Sequence, residues 1–204
     1  SQPISLNAAI GLFGELVFLD ILTGDMPEAA AFWLGYKNAP IDFRSGPRAV
    51  EVKTSVKRGR HSVTFHGLDQ LQVQEGEEAR IVLILVEELD PTTTNHLSID
   101  ILAKRIREKI ASIPGAVNSF NDKLLKAGVE SESYASLLHK PFRIIEKMAC
   151  PVDDQVPRIT RELVGDASSR IISIEYEVDL SGALKASFFD ETTRWFAAGR
   201  VDTP

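Results

Sequence analysis

The segment that most constrains the fold is residues 40–53, with the sequence PIDFRSGPRAVEVK. Two short runs of alternating apolar and polar residues stand on either side of Ser45-Gly46-Pro47, and this pattern predicts a β-hairpin. If Gly46 and Pro47 form the loop, Asp42 lies opposite Glu51. A chain that contains this hairpin must build at least part of its core on a β-sheet.

The hairpin has one apolar and one polar face, because side chains alternate between the two faces of a strand. The apolar residues Ile41, Phe43, Val50 and Val52 are expected to face the core. The other face carries Asp42, Arg44, Ala49, Glu51 and Lys53. Two carboxylates and an ammonium group therefore share one patch, within reach of a common metal ion.

This patch is a candidate active site. Facing carboxylates on paired strands repel each other, and a divalent cation reverses that interaction. Mg²⁺ is held by one or two carboxylates together with water and phosphate oxygens. Lys53 lies about 7 Å beyond Glu51 on the same face, where it could orient or deprotonate water or neutralise charge on a phosphate. The alternative is a solvated hairpin face with three charges.

Length and composition predict one core, or one core with an appended subdomain, since the chain has 204 residues and is 44% hydrophobic. No uninterrupted apolar run approaches the ~20 residues that span a bilayer, and no signal peptide is recognisable. The single cysteine, Cys150, has no disulfide partner within the chain, and no Cys/His cluster has zinc spacing. We expect a cytoplasmic protein without a membrane partner.

Charge is unevenly distributed. The net charge of -6 argues against a protein that coats nucleic acid indiscriminately. Between residues 42 and 66, however, the sequence has six Lys and Arg residues and only two acidic residues. This basic stretch is either a solvated loop or a phosphate contact, and its place beside the carboxylate patch favours the latter. The candidate nucleic-acid-binding residues are Arg44, Arg48, Lys57, Arg58, Arg60 and His61.

A helix is predicted from Asn7, as N-cap, to about Leu22. It is apolar nearly all round, and Gly11 and Gly14 are expected to allow close approach to another element. Glu15 is its only charge before Asp20. Because a carboxylate in such a helix is costly unless paired, Glu15 either lies on a narrow exposed stripe or reaches the Asp42/Glu51 patch.

The remaining elements up to residue 90 alternate between helix and strand, which predicts an α/β sandwich. They are a helix at 27–33, short strands at 33–36 and 62–65, a helix at 67–74 that brings Gln70 near the hairpin, and a strand at 80–86 buried on both faces.

Residues 90–95, DPTTTN, form the clearest break, so we predict a core at 1–90 and a C-terminal region at 96–204. In the latter we expect helices at 99–113 and 116–127, strands at 142–149 and 170–178, and a docked tail with Trp195 and Phe196.

Glu15 in an apolar helix, Asp42, Glu51-Val52-Lys53 at the end of a hairpin, and Gln70 together resemble the PD-(D/E)XK nuclease fold. The strings GLFGEL (11–16), IDF (41–43), VEVK (50–53) and LDQL (68–71) resemble one group within it, the bacterial "PD-(D/E)XK motif protein" family often encoded near restriction or phage-defence genes. VPRIT at 156–160 also resembles that family. Ile41 stands where the motif's name has proline.

The resemblance implies an α/β fold with a restriction-endonuclease-like αβββαβ core, in which helices flank a mixed sheet, and an α+β C-terminal extension. It implies hydrolysis of DNA phosphodiester bonds with Mg²⁺, for which Mn²⁺ would substitute. Asp42, Glu51 and the Val52 carbonyl would bind this metal. Glu15 would hold a second metal or order Lys53, Lys53 would position water and stabilise the transition state, and Gln70 would touch substrate or water. Expected partners are DNA, proteins of a restriction or defence system and a second copy of the chain.

Two other functions compete with the nuclease. A catalytically inactive subunit for nucleic-acid binding or assembly would suit the overall acidity. A glycosidase using Asp42 and Glu51 is disfavoured, because Lys53 and the lack of aromatic sugar platforms do not suit it.

Overall fold

The computed structural model describes residues 5–37, 39–56, 61–71, 73–129 and 135–199. Within these ranges the strands are β1 (Phe43–Ser45), β2 (Arg48–Ser55), β3 (Ser62–His66), β4 (Glu78–Glu88), β5 (Phe142–Pro151) and β6 (Glu175–Asp179). The helices are α1 (Leu6–Asp25), α2 (Ile99–Ile110), α3 (Ala116–Lys126), α4 (Ala135–Leu138), α5 (Arg161–Val164) and α6 (Ser187–Ala197). Short 3₁₀ helices lie at Pro27–Phe32, Gly35–Lys37 and Gly165–Arg170.

Four strands form a central mixed sheet in the order β1-β2-β4-β5. β1 and β2 pair antiparallel with Phe43 opposite Val50 and Ser45 opposite Arg48, which confirms the predicted hairpin register. Gly46 begins the two-residue loop with a φ of 56°, as the first loop position of a type II′ turn requires. β2 then runs parallel to β4, and β5 pairs antiparallel with β4.

The central strand β4 is the buried strand that the sequence predicts. Its residues 81–86 are all buried, and alternate members belong to the cores on opposite faces of the sheet. On one face α1, α2 and α6 cover the sheet, and on the other Ile81 and Leu83 pack with Val63 and Phe65 of β3.

β3 does not join the central sheet. It pairs antiparallel with β6, Val63 opposite Val178, in a two-stranded ribbon. The helix predicted at 67–74 is also wrong, since the described residues there form turns and irregular backbone, with Leu71 in the left-handed region at a φ of 62°. The expected αβββαβ order is therefore realised only in part, whereas a mixed sheet flanked by helices is present.

The helix predicted with Asn7 as its N-cap begins two residues earlier. Ser5, not Asn7, is its N-cap and accepts a hydrogen bond from the Ala8 N–H at 3.2 Å. The helix predicted at 27–33 is a 3₁₀ helix. In place of the strand predicted at 33–36, Trp33 makes one β-bridge with Phe43 before the next 3₁₀ turn.

α1 lies at the centre of the helical face and approaches β2 closely. A Cβ on Gly14 would stand 1.8 Å from the Thr54 Oγ1, which confirms the predicted close approach, whereas a Cβ on Gly11 would meet nothing within 4 Å. Among the described helices, α1 alone is long and apolar enough to cross a membrane. Of its most apolar stretch, 61% is buried inside the protein, as in the core helix of many globular proteins.

Residues beyond the break at 90–95 complete the same core. β5 extends the sheet beside β4, and α2 packs against α1. The tail is docked as predicted, because the ring of Phe196 in α6 lies 6.4 Å from that of Phe18 and 6.3 Å from that of Phe43. The predicted elements at 99–113 and 170–178 are shorter in the structure, where α2 ends at Ile110 and β6 begins at Glu175.

Candidate active site

Two adjoining clefts flank the end of the hairpin, between α1 and the β3/β6 ribbon. They have volumes of about 430 and 510 Å³. Glu15, Asp42, His66 and Gln70 line both clefts, and Glu51 and Lys53 line the first. The structure therefore brings together the five side chains that the sequence predicts to act in catalysis.

Asp42 is anchored to the strand that carries Glu51. Its Oδ2 accepts a hydrogen bond from the Val52 N–H at 2.8 Å, and its backbone carbonyl accepts from the N–H groups of Leu34 and Gly35 at 2.6 and 3.2 Å. Since the N–H and C=O of one strand residue point toward the same neighbour, the Val52 carbonyl also faces the side on which Asp42 lies.

Glu51 is buried, with one carboxylate oxygen bonded and the other unpartnered. Its Oε1 lies 2.9 Å from the Lys53 Nζ and accepts a 2.9 Å hydrogen bond from the Gln70 Nε2. Its Oε2 is buried without a hydrogen-bond partner. Burial raises the pKa of Glu51 despite the opposing Lys53 charge. A buried polar atom without a partner costs about 1–3 kcal/mol, and more when charged, so this oxygen needs an explanation.

Glu15 lies at the Asp42/Glu51 patch, which is one of its two predicted positions, and not on a narrow exposed stripe. Its Oε2 accepts a 2.6 Å hydrogen bond from the Trp33 Nε1–H. Burial raises the pKa of Glu15 to about 7, with a smaller contribution from the charge of Glu51, while the Trp33 bond and Lys53 oppose the shift.

The carboxylates of Glu15 and Asp42 both lie next to Gly35, and a side chain at this position would collide with them. A Cβ built on it would stand 1.9 Å from the Glu15 Oε2 and 3.0 Å from the Asp42 Oδ1. Both carboxylates thus border the same small space. Burial, followed by the charges of Glu51 and Glu15, raises the pKa of Asp42 well above its usual value. Glu15, Asp42 and Glu51 are called the carboxylate cluster below. Because their negative charges repel one another, the three do not ionise together unless a cation neutralises part of that charge.

Lys53 and Gln70 both contact Glu51, on the side of the cluster that faces the β3/β6 ribbon. The Lys53 Nζ lies 5.0 Å from the centre of the Phe65 ring while it contacts Glu51. Gln70 reaches Glu51 from a turn, and its Oε1 accepts the His66 N–H at 2.6 Å. The adjacent left-handed Leu71 and its N–H bond to the Pro40 carbonyl at 3.3 Å define this turn.

The donor chemistry of the cluster fits a hard divalent cation. Carboxylate and carbonyl oxygens are the ligands that Mg²⁺ takes, and the Glu51 Oε2 is an orphaned buried acceptor beside them. Across the described part of the chain, however, no group of three or more His, Cys, Asp or Glu has its atoms already placed to hold a metal. A metal would have to draw the carboxylates together.

Each of the six predicted nucleic-acid-binding residues either lines neither cleft or lies outside the described residues. Arg44 pairs with Glu77 at 2.6 Å, and Arg48 donates to the carbonyl of Trp195. His61 lies 3.7 Å from Glu146. None of these three lines either cleft. Lys57, Arg58 and Arg60 lie outside the described residues, so phosphate binding stays a prediction for the whole set.

Sequence reasoning missed Trp33 and Gly35. Trp33 is fully buried, and a buried tryptophan needs an acceptor for its indole N–H. That rule could have suggested Glu15 as its partner. No local pattern points to Gly35, since its constraint comes from two side chains that are distant in the sequence.

A family model described as "Putative PD-(D/E)XK family member, (DUF4420)" matches residues 1–181 of the chain. The search of curated proteins and the search of solved structures gave no match.

Proposed function

The chain belongs to the family DUF4420, and on this premise we propose that it is a metal-dependent nuclease that hydrolyses DNA phosphodiester bonds. The observation that carries the proposal is the buried, unpartnered Oε2 of Glu51 within the carboxylate cluster. A purely structural core has no use for three mutually repelling carboxylates. A cation would satisfy the orphaned oxygen and remove the repulsion in one step.

Asp42 and Glu51 would hold Mg²⁺, or Mn²⁺ in its place, together with the carbonyl of Val52. When bound, such an ion polarises a phosphoryl oxygen and lowers the pKa of a coordinated water. Glu15, hydrogen-bonded to Trp33, would hold a second ion or order Lys53.

Lys53 would stabilise negative charge on the scissile phosphate. Its side chain is 15% exposed and lines the first cleft beside Glu51. An ammonium group held in a largely desolvated site stabilises developing charge more than one in water does. Gln70 would touch substrate or water while it holds Glu51.

The substrate strand would run along the two clefts, which share Glu15, Asp42, His66 and Gln70. The protein's net charge of -6 gives little general attraction to phosphate. We therefore assign part of the DNA affinity to partners, either proteins of a cytoplasmic restriction or phage-defence system or a second copy of the chain.

A catalytically inactive nucleic-acid-binding or assembly subunit is the second candidate. Two observations favour it. The described residues contain no preformed metal-holding group, and Arg44 and Arg48 are engaged within the protein. Such a subunit would keep the cluster without using it.

Plasmid cleavage by the pure protein tests the proposal. We expect cutting with Mg²⁺ or Mn²⁺, none with EDTA, and none by a Glu51→Gln variant purified in parallel. Calorimetric titration with Mn²⁺ separates the two candidates. If the wild type binds Mn²⁺ no better than Glu51→Gln and does not cut with candidate partners added, the inactive-subunit function replaces the nuclease.

A further inference from the structure

Lys123 is a buried lysine of α3, and it lies outside the carboxylate cluster. Its residue exposure is 9%. The Nζ donates to the carbonyls of Ala30, Ala31 and Trp33 at 2.8, 3.0 and 3.2 Å, and it lies 5.4 Å from the centre of the Tyr36 ring. Burying an ammonium group is costly, so this arrangement calls for a reason.

The three carbonyls lie at the C-terminal end of the 3₁₀ helix Pro27–Phe32 and just beyond it. Carbonyl groups at a helix end lack helical partners and concentrate partial negative charge. One ammonium group with three donors can satisfy three of them together. Lys123 thereby fixes the main chain where the 3₁₀ helix gives way to residues 33–35.

Residues 33–35 contact two members of the carboxylate cluster. The indole N–H of Trp33 donates to Glu15, and the N–H groups of Leu34 and Gly35 donate to the carbonyl of Asp42. Gly35 also borders the space between the carboxylates of Glu15 and Asp42. The position of this short segment therefore sets how the two acids face each other.

We propose that Lys123 is a positioning residue for the carboxylate cluster, because its ammonium group fixes the Trp33 main chain and so holds the indole N–H on Glu15. The bonds of the Lys123 ammonium group go to main-chain carbonyls, one of them that of Trp33, so the proposed effect on Glu15 passes through the position of Trp33. The consequence for catalysis rests on the proposed function, but the geometric claim does not.

Lys126, one turn further along α3, offers a matched control. Its Nζ lies 5.9 Å from the centre of the same Tyr36 ring, and Lys126 is exposed. Lys126→Met removes an ammonium group near Tyr36 as Lys123→Met does, without removing the bonds to the carbonyls of Ala30, Ala31 and Trp33.

The test is the indole N–H signal of Trp33 in ¹⁵N-labelled, metal-free protein, assigned by its loss in Trp33→Phe. In Lys123→Met we expect the signal to move upfield and its exchange with water to become roughly tenfold faster, as expected for weakening one hydrogen bond. In Lys126→Met it should match the wild type. The proposal is overturned if Lys123→Met folds with an unchanged indole signal, or if Lys126→Met changes it equally.

Should Lys123→Met not fold, Lys123→Gln keeps an N–H donor without the charge. Its indole exchange should lie between that of the wild type and tenfold faster, and wild-type exchange would overturn the proposal. In a protein that cuts DNA, Lys123→Met should lower kcat and leave KM for DNA unchanged. Because the indole signal needs neither metal nor DNA, a protein that does not cut can still confirm the role of Lys123.

Discussion

The Lys53 Nζ lies 2.9 Å from the Glu51 Oε1, two residues earlier on the same strand. In metal-free protein this ammonium group partly compensates a buried carboxylate. In the proposed reaction it would share its charge with phosphate, so the two residues should respond differently to substitution.

Glu51→Gln should lower both Mg²⁺ affinity and cleavage, because it removes a ligand charge. Lys53→Ala should leave metal affinity unchanged or higher, because it removes a neighbouring cation, while cleavage falls by about 10²–10³, the typical value of one transition-state donor. Calorimetry and plasmid cleavage measure the two effects. Cleavage by Lys53→Ala at the wild-type rate would rule out this role for the lysine.

Gly35→Ala should disrupt the site more than the fold. Its Cβ would stand 1.9 Å from the Glu15 Oε2, and the flexible end of Glu15 can move away at a cost of about 1 kcal/mol. Mn²⁺ affinity should fall, as measured by calorimetry. The control is Gly11→Ala in α1, whose Cβ meets nothing within 4 Å, and it should stabilise the protein by about 0.5–1 kcal/mol. Equal metal affinity in both variants would contradict the placement of Glu15.

The stability of the metal-free protein should fall as pH rises from about 4.5 to 7. The pKa of Glu15 is raised from 4.5 to about 7 in the folded protein, so folding favours its protonated form. The contribution is fully present below pH 4.5 and is lost as pH rises through the folded-state value. At pH 8, Glu15→Gln should be about 1–3 kcal/mol more stable than the wild type.

Urea unfolding at pH 5, 6, 7 and 8 measures this difference, with EDTA present throughout. Burial also raises the pKa values of Asp42 and Glu51. These two residues therefore lower the stability with rising pH in both the wild type and Glu15→Gln. If Glu15→Gln is no more stable than the wild type at pH 8, ionised Glu15 does not destabilise the folded protein.

Neutralising Lys57, Arg58 and Arg60 together should weaken DNA binding and flatten its salt dependence. For every phosphate that the variant no longer neutralises, the slope of log K against log salt falls by about one. The control is Lys147→Ala, since Lys147 is not among the candidate nucleic-acid-binding residues and its Nζ lies 4.8 Å from the centre of the Phe189 ring. That variant should lose stability and keep the slope. An unchanged slope in the triple variant would assign these residues to a solvated loop.

The hairpin could be predicted because its information is local. Gly46 and Pro47 fix the loop, and the loop fixes the register as far as Phe43 opposite Val50. Asp42 precedes β1 and is held beside β2 by the Val52 N–H. The face of Lys53 follows from strand alternation alone.

The contacts that hold Glu15 and Gln70 in the site could not be predicted, because they join distant parts of the chain. β3 pairs with β6, more than a hundred residues later. Gln70 was expected on a helix, but it reaches Glu51 from a turn with a left-handed Leu71. The bond between Trp33 and Glu15 depends on how a 3₁₀ helix packs against α1.

The late position of β5 and α6 in the chain has a consequence during synthesis. β2, which carries Glu51, pairs with β4, and β4 pairs with β5. Arg48 of β2 also donates a hydrogen bond to the carbonyl of Trp195 in α6. Since the ribosome releases the N-terminal part first, the acidic residues emerge long before β5 and α6, which complete the sheet and its cover. A nascent chain would carry these acids on an unfinished sheet until β5 and α6 have emerged.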